Sequence, residues 1–420
     1  MAAHQDMVQR ASSASFSSTE TIKQPKQLPP NNPRPKRRTT HRNVACFAFF
    51  LAVLLVWMTG GELQTGNWSS MAQVSDTDLT NGPPVPPRAM AACLLMFDDN
   101  LSLVEWLAYH YHTMPLRHVI VLTDPRSTES PLPILQRWDG LMTYEYWNEE
   151  RVFQKDPETL EHLRRQGDLV KLHRARQGHF YAQCMRELKL RSQKQEQENG
   201  CYDQWLILTD VDEYVTINPR IADPHHNLYR PHQNTTLASP GSIYEFLQHE
   251  KRQPPACLHM ARRDMVSKES SMEEISVGVP SFLDPTVFFT TRWRHQSHRK
   301  ITGKCLVNLA LVPYRDLPPF ETPRQGHVPL AARGYCPNFR AKDRYTMENT
   351  PLVVHHYLGT QAQYQHRDDP RRDRTTDGFA RKQQQSTTVQ DDTRTWLQGF
   401  VAQVGRKKAA QLLQGAGEAQ

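Results

Sequence analysis

Two aspartates one residue apart, Asp210 and Asp212, stand just after the apolar run Trp205-Leu206-Ile207-Leu208, and Glu213-Tyr214 follows them. A short apolar run stopped abruptly by acids reads as a central strand of a parallel sheet. Ligands of such sheets gather beyond the carboxyl ends of the strands. Two carboxylates there, with Glu213 beside them, suit a hard divalent cation. Mg²⁺ or Mn²⁺ takes oxygen ligands and shares them with substrate phosphates. Neutralising a leaving diphosphate in this way is what an enzyme with a nucleotide-sugar donor requires. The same tripeptide also ends ordinary solvated strands, so its meaning depends on the rest of the chain.

The elements that must position these acids are legible upstream. Ala91–Phe97 reads as a strand. Asp98-Asp99-Asn100 then leads into a helix, with Leu101, Val104, Leu107, Ala108 and Tyr111 at helical spacing. Strands are expected at His118–Asp124 and Met142–Trp147, and a helix over residues 158–197. Strand, helix, strand, strand, helix, strand builds an open α/β sheet. Residues from about 215 to 360 are less regular and are expected to cover the carboxyl edge and shape an acceptor pocket.

Residues 1–43 are polar and basic, and Pro33-Arg34-Pro35-Lys36-Arg37-Arg38 precedes an uncharged run, Val44–Met58. The expectation is a disordered cytosolic tail, then a signal-anchor helix over 44–61 in type II orientation. A Pro-rich luminal stem follows over 62–89, one large domain over 90–366 and a polar tail over 367–420. Trp396-Leu397 and Ala409–Leu413 could form a peripheral helix within that tail. Of the seven cysteines, Cys46 lies in the anchor. Cys93, Cys184, Cys201, Cys257, Cys305 and Cys336 can pair in an oxidising lumen. Asn67, Asn100 and Asn234 open glycosylation tripeptides. The net charge of +7 over 420 residues is modest. No basic-aromatic stripe calls for nucleic acid.

Several pieces together resemble glycosyltransferase family 92, the former domain-of-unknown-function 23 group, and related family 2-like enzymes. The resemblance covers roughly residues 90–366. Asn100 with Glu105-Trp106 and His110 looks like the family's opening, although no Glu follows the Asn. Asp124-Pro125-Arg126-Ser127 looks like its Asp-x-x-Ser strand end. Asp210-Val211-Asp212-Glu213-Tyr214 is similar to Asp-x-Asp-Glu-Phe, and His355-His356-Tyr357 to a closing His-Tyr. Arg299-Lys300-Ile301 looks like a later basic strand. The resemblance implies an α/β fold of GT-A type: a Rossmann-like open mixed sheet flanked by helices, behind an N-terminal transmembrane helix. It also implies a single-pass Golgi or ER enzyme that uses Mn²⁺ or Mg²⁺ and a UDP-sugar. Family members described as galactosyltransferases use UDP-galactose.

On that reading Asp212 is the first metal ligand, with Asp210 on the metal or the donor ribose, and His356 is preferred over His355 as a late imidazole ligand. Glu213 is a ligand or orients a base. Asp98, Asn100 and Asp124 contact the nucleotide; as alternatives, Asp98 and Asn100 cap the next helix and Asp124 caps a turn. Arg299, Lys300 and Lys304 neutralise the departing diphosphate or form a solvated basic face. Lys300 joins Asp212 and Glu213 among the catalytic candidates. Asp264, Glu269, Glu273 and Glu274 are the acids available as a base. The expected activity moves a hexose to a glycan or glycoprotein hydroxyl. The alternatives are a membrane-anchored non-catalytic protein that binds glycans or a partner enzyme, and a nucleotidyltransferase that would release pyrophosphate.

Overall fold

The structure is a computed structural model. It describes residues 89–199, 205–218, 236–248, 256–267, 272–291, 293–296, 303–319, 335–336, 350–359, 364, 376–384, 386–389 and 393–415. The chain divides into two compact units, Met1–Glu62 and Leu63–Gln420, and every described residue belongs to the second. The expected anchor at 44–61 lies outside the described residues. Among those described, no helix is long and apolar enough to cross a membrane.

The fold is mixed α/β. Four parallel strands form one half of the sheet: β1 (Met90–Met96), β2 (Leu116–Thr123), β3 (Thr143–Trp147) and β4 (Trp205–Leu208). Helix α1 (Asn100–Thr113) connects β1 to β2. Helices α2 (Pro157–Gln166) and α3 (Leu169–Asn199) lie between β3 and β4. Strand β5 (Glu213–Ile217) follows β4 directly. The rest are β6 (Cys257–Ser267), β7 (Trp293–Gln296), β8 (Lys304–Asn308), β9 (Leu352–Tyr357) and β10 (Ser386–Val389). Eight strands run β3-β2-β1-β4-β8-β6-β7-β10, and β5 joins through β9, which pairs with β6. Strand β8 is antiparallel to both β4 and β6.

Strand periodicity sends alternate residues into two cores. Met90, Ala92, Leu94 and Met96 of β1 face one cluster with Trp205 and Ile207 of β4. Ala91, Cys93 and Leu95 face the other with Leu206 and Leu208. Helix α1 covers the first face. Helix α3 covers the second with Phe180, Tyr181, Cys184, Met185 and Leu188. Both faces buried explains why these strands read as continuous apolar runs. A disulfide from Cys93 on β1 to Cys184 on α3 fastens sheet to helix, and a second joins Cys257 of β6 to Cys336. Loops of 91 and 79 residues put each at about 4–5 kcal/mol on a chain-entropy estimate.

Three expectations need correction. The helix expected over 158–197 is two helices. Gly167 ends α2 in the left-handed region (φ 67°), where glycine carries no Cβ penalty, and the Asp168 carboxylate accepts from the N–H groups of Val170 and Lys171 to start α3. The region expected to be irregular supplies strands β5 to β9. The polar tail is also more than a tail. Helices α4 (Trp396–Val404) and α5 (Arg406–Leu412) put Trp396, Leu397, Phe400 and Leu412 into the first core.

Gly399 lets α4 seat closely. A Cβ there would lie 2.0 Å from the Ala238 carbonyl oxygen and 2.6 Å from His112 Nε2. Gly399→Ala is therefore expected to destabilise by about 1–3 kcal/mol, despite alanine's better helix propensity. A lowered urea midpoint would show it; an unchanged or raised midpoint would mean that α4 can shift away.

Candidate functional site at the carboxyl edge of the sheet

The parallel half ends its strands at one edge, and the acids of the sequence reading follow those ends. Asp98 follows β1, Asp124 follows β2, and Asp210 and Asp212 follow β4. The turn after β4 is tightly built. The Asp210 N–H donates to the Glu213 carboxylate at 2.9 Å, and the Glu213 N–H donates to the Asp210 carbonyl at 3.0 Å. Lys304, on β8, reaches both Asp210 Oδ2 (2.9 Å) and Glu213 Oε2 (2.8 Å). Gly303, just before β8, sits close against β6: a Cβ there would meet His259 Cε1 at 2.0 Å and the Met260 carbonyl oxygen at 2.3 Å. Burial is the largest influence on Glu213 and raises its pKa, with Lys304 the largest opposing influence.

Asp212 meets β9. Its carbonyl accepts from the Tyr357 N–H at 2.8 Å, which brings the neighbouring His356 alongside. His356 Nε2 lies 3.3 Å from Asp212 Oδ2, and His356 Nδ1 lies 2.9 Å from Asp264 Oδ1 on β6. Strand register makes the arrangement. Glu213, His356 and Asp264 are paired across β5, β9 and β6, so they form one row on one face. Arg262, two residues before Asp264 on the same strand face, lies 3.6 Å from Glu213 Oε1 and 3.4 Å from Asp264 Oδ1. Burial works to lower the His356 pKa. The Asp212 charge and the hydrogen bonds with Asp212 and Asp264 outweigh it and raise the pKa.

The donor set fits a hard divalent ion. Ligand atoms on one such ion stand about 3 Å apart, close to the separation of Asp212 Oδ2 and His356 Nε2. Four carboxylates (Asp210, Asp212, Glu213, Asp264) are interleaved with Lys304, Arg262 and His356, so each carboxylate of the cluster has a basic partner. Asp210 Oδ2 is engaged by Lys304 at 2.9 Å. Among the described residues, the one set of three close-set ligand atoms is Cys257, Cys305 and Cys336, and two of those are already bridged. In the acidic cluster, Asp212 and His356 are the residues that would hold such an ion, one carboxylate and one imidazole.

Asp124 is spent within the chain. Its Oδ1 accepts from Arg126 N and Nε, and its Oδ2 from Arg126 Nη2 and Arg176 Nη1, at 2.9–3.1 Å. All four carboxylate acceptor positions are filled, so Asp124 anchors Arg126 and Arg176. Burial raises its pKa, but hydrogen bonds from Arg126 and His173 and the charge of Arg176 bring it well below the usual carboxylate range. Asp98, at φ 49°, accepts from the N–H groups of Thr128 (2.7 Å) and Glu129 (3.2 Å), tying the β1 and β2 loops together. Asn100 donates to the Ser130 carbonyl at 3.1 Å. Neither Asp98 nor Asn100 caps α1 through its side chain.

Arg299 and Lys300 lie outside the described residues, as does Glu269. Glu273 is exposed on a short helix. Of the candidate bases whose side chains are described, Asp264 lies in the cluster and Glu273 does not. Sequence reasoning missed Arg262, Arg176 and Gln177, whose Nε2 lies 3.5 Å from Asp210 Oδ1. The signal for the last two was present. His173, Arg176 and Gln177 continue the Phe180, Tyr181, Cys184 stripe of α3 at helical spacing, but as polar residues.

Glu105 and His110, in the opening piece of the resemblance, serve the frame. Glu105 accepts from the N–H groups of Phe289 and Thr290, and burial pushes its pKa up to about 7. His110 Nδ1–H donates to the Trp106 carbonyl and Nε2 accepts from the Val215 N–H, and burial holds its pKa down at about 3. The sign follows: below about pH 6.5 the unfolded chain protonates this histidine while the folded chain does not, so stability falls on acidification. Wild type is expected to lose about 2 kcal/mol more than His110→Gln between pH 7 and pH 5. Parallel pH profiles in urea titrations would contradict this.

Comparison with known proteins decides no family. No protein-family model matches the chain, and no curated protein matches it.

Proposed function

We propose that the second unit is a GT-A type glycosyltransferase domain that moves a hexose from a UDP-sugar to a glycan or glycoprotein hydroxyl. One observation carries the reading: Asp212 and His356, from distant parts of the chain, converge within an acidic cluster beyond the end of β4. Strand order supports it as well. The β3-β2-β1-β4 half has the strand order of the nucleotide-binding half of an open α/β sheet, and the acids follow its carboxyl ends.

On this reading Asp212 and His356 hold Mn²⁺ or Mg²⁺, which when bound offsets the charge of the departing diphosphate. Glu213 and Lys304 keep the Asp-x-Asp turn in shape, and Lys304 fixes Asp210. Arg126 and His173, on the fully satisfied Asp124, present donors at the end of β2. Two disulfides support an oxidising compartment, in line with a luminal domain behind an anchor at 44–61 and residence in the Golgi or ER.

The test is product release. The full chain is incubated with a panel of UDP- and GDP-sugars, with Mn²⁺ and then with EDTA. Metal-dependent release of nucleoside diphosphate from one donor, lost in Asp212→Asn, supports transfer chemistry. Pyrophosphate release would favour a nucleotidyltransferase. Silence from the folded chain across the panel, with acceptor glycans supplied, would favour a non-catalytic binding protein.

A further inference from the structure

The row of side chains across β5, β9 and β6 gives Asp264 a role. His356 sits between two carboxylates and presents a different nitrogen to each: Nε2 toward Asp212 Oδ2 at 3.3 Å and Nδ1 toward Asp264 Oδ1 at 2.9 Å. Parallel register pairs Asp264 with His356, so the contact is built into the backbone and does not depend on a chance rotamer. Arg262 Nε lies 3.4 Å from the same oxygen, from two positions earlier on the same strand face. Asp264 is 4% exposed. A base for an acceptor hydroxyl must reach that hydroxyl, and this carboxylate is buried against His356 and Arg262.

We infer that Asp264 is a positioning residue: it accepts the Nδ1–H of His356 and so fixes the ring with Nε2 toward the ligand position beside Asp212. This rests on the proposed metal role of Asp212 and His356. A histidine ligand is fixed in tautomer and orientation by the acceptor on its other nitrogen, and removing that acceptor costs about 10–100-fold in metal affinity. Asp264 therefore acts through His356 and does not touch the ion.

The experiment is a Mn²⁺ titration of the full chain, with free Mn²⁺ read by electron paramagnetic resonance. Wild type, Asp212→Ala, His356→Ala, Asp264→Asn and the double variant His356→Ala/Asp264→Asn are compared, each first shown by circular dichroism to be folded. Asp264→Asn keeps the shape of the side chain and is expected to weaken Mn²⁺ binding about 10–100-fold. In the His356→Ala background the same change is expected to add nothing, because the group it orients is gone. A merely structural role would weaken both backgrounds alike, and that result overturns the inference. So does wild-type binding that is abolished by Asp212→Ala and unmoved by Asp264→Asn, which leaves the proposed metal site standing. A folded wild-type chain that binds no Mn²⁺ overturns the metal reading itself, and the inference with it.

Discussion

Lys304→Met is expected to cost about 3–5 kcal/mol of stability, far more than the loss of a surface charge. Lys304 is 2% exposed and lies between Asp210 and Glu213, and Glu213 is fully buried. Methionine fills a similar volume and cannot neutralise anything. Glu213 would keep the Asp210 N–H and a distant Arg262, with its buried charge otherwise uncompensated. An uncompensated buried charge is the costly outcome, whereas removing both partners together can be almost neutral. Adding Glu213→Gln to Lys304→Met should therefore restore a large part of the loss. Urea midpoints of the two single variants and the double variant measure this. A Lys304→Met midpoint near wild type, or strict additivity in the double variant, would show that the three side chains are not one unit.

Deleting residues 393–420 is expected to leave no cooperatively folded domain. Trp396, Leu397, Phe400, Ala409 and Leu412 have no exposed surface, and they share one core with α1 and β1. Phe400 packs 6.2 Å from the Trp138 ring, and Trp396 packs 5.5 Å from that of Tyr109. Trp396 also donates its indole N–H to Thr290 Oγ1 at 2.8 Å, and Thr290 in turn bonds Glu105. Single large-to-small changes at such positions cost about 2–5 kcal/mol each, against a whole-domain stability of about 5–15 kcal/mol. Near-ultraviolet circular dichroism and urea unfolding of the shortened chain test this. A sharp transition at the wild-type midpoint would return these helices to the periphery.

How far the sequence could be read varied along the chain. Strands β1, β2 and β4 were visible because both their faces are buried and their runs are apolar throughout. The Asp-x-Asp turn was visible because acids stop such a run. His356 could be preferred over His355 only through the resemblance. The structure supplies the physical reason: neighbours on a strand face opposite sides, and Asp212 and Asp264 lie on the His356 side. Strands β6, β7 and β9 were hidden, since their residues mix Arg or His with apolar ones. Those charges satisfy one another across the sheet, as Arg262 does with Glu213 and Asp264. Lys304 could not be ranked above Lys300 from composition, because its partners are distant in sequence. At the C-terminus the polar surroundings suggest only a peripheral helix, although the Trp396, Leu397, Phe400 spacing carries the signal of a buried face.

The central claim is that Asp212 and His356 form a divalent-ion site serving a nucleoside diphosphate. Calorimetric titration of UDP into the full chain, with Mn²⁺ and then with EDTA, tests it most directly. Asp212→Asn is the paired control. The account predicts UDP binding that requires Mn²⁺ and is lost in the variant. UDP binding of equal strength in EDTA, or no binding of UDP or GDP to the folded chain with Mn²⁺ present, would contradict it.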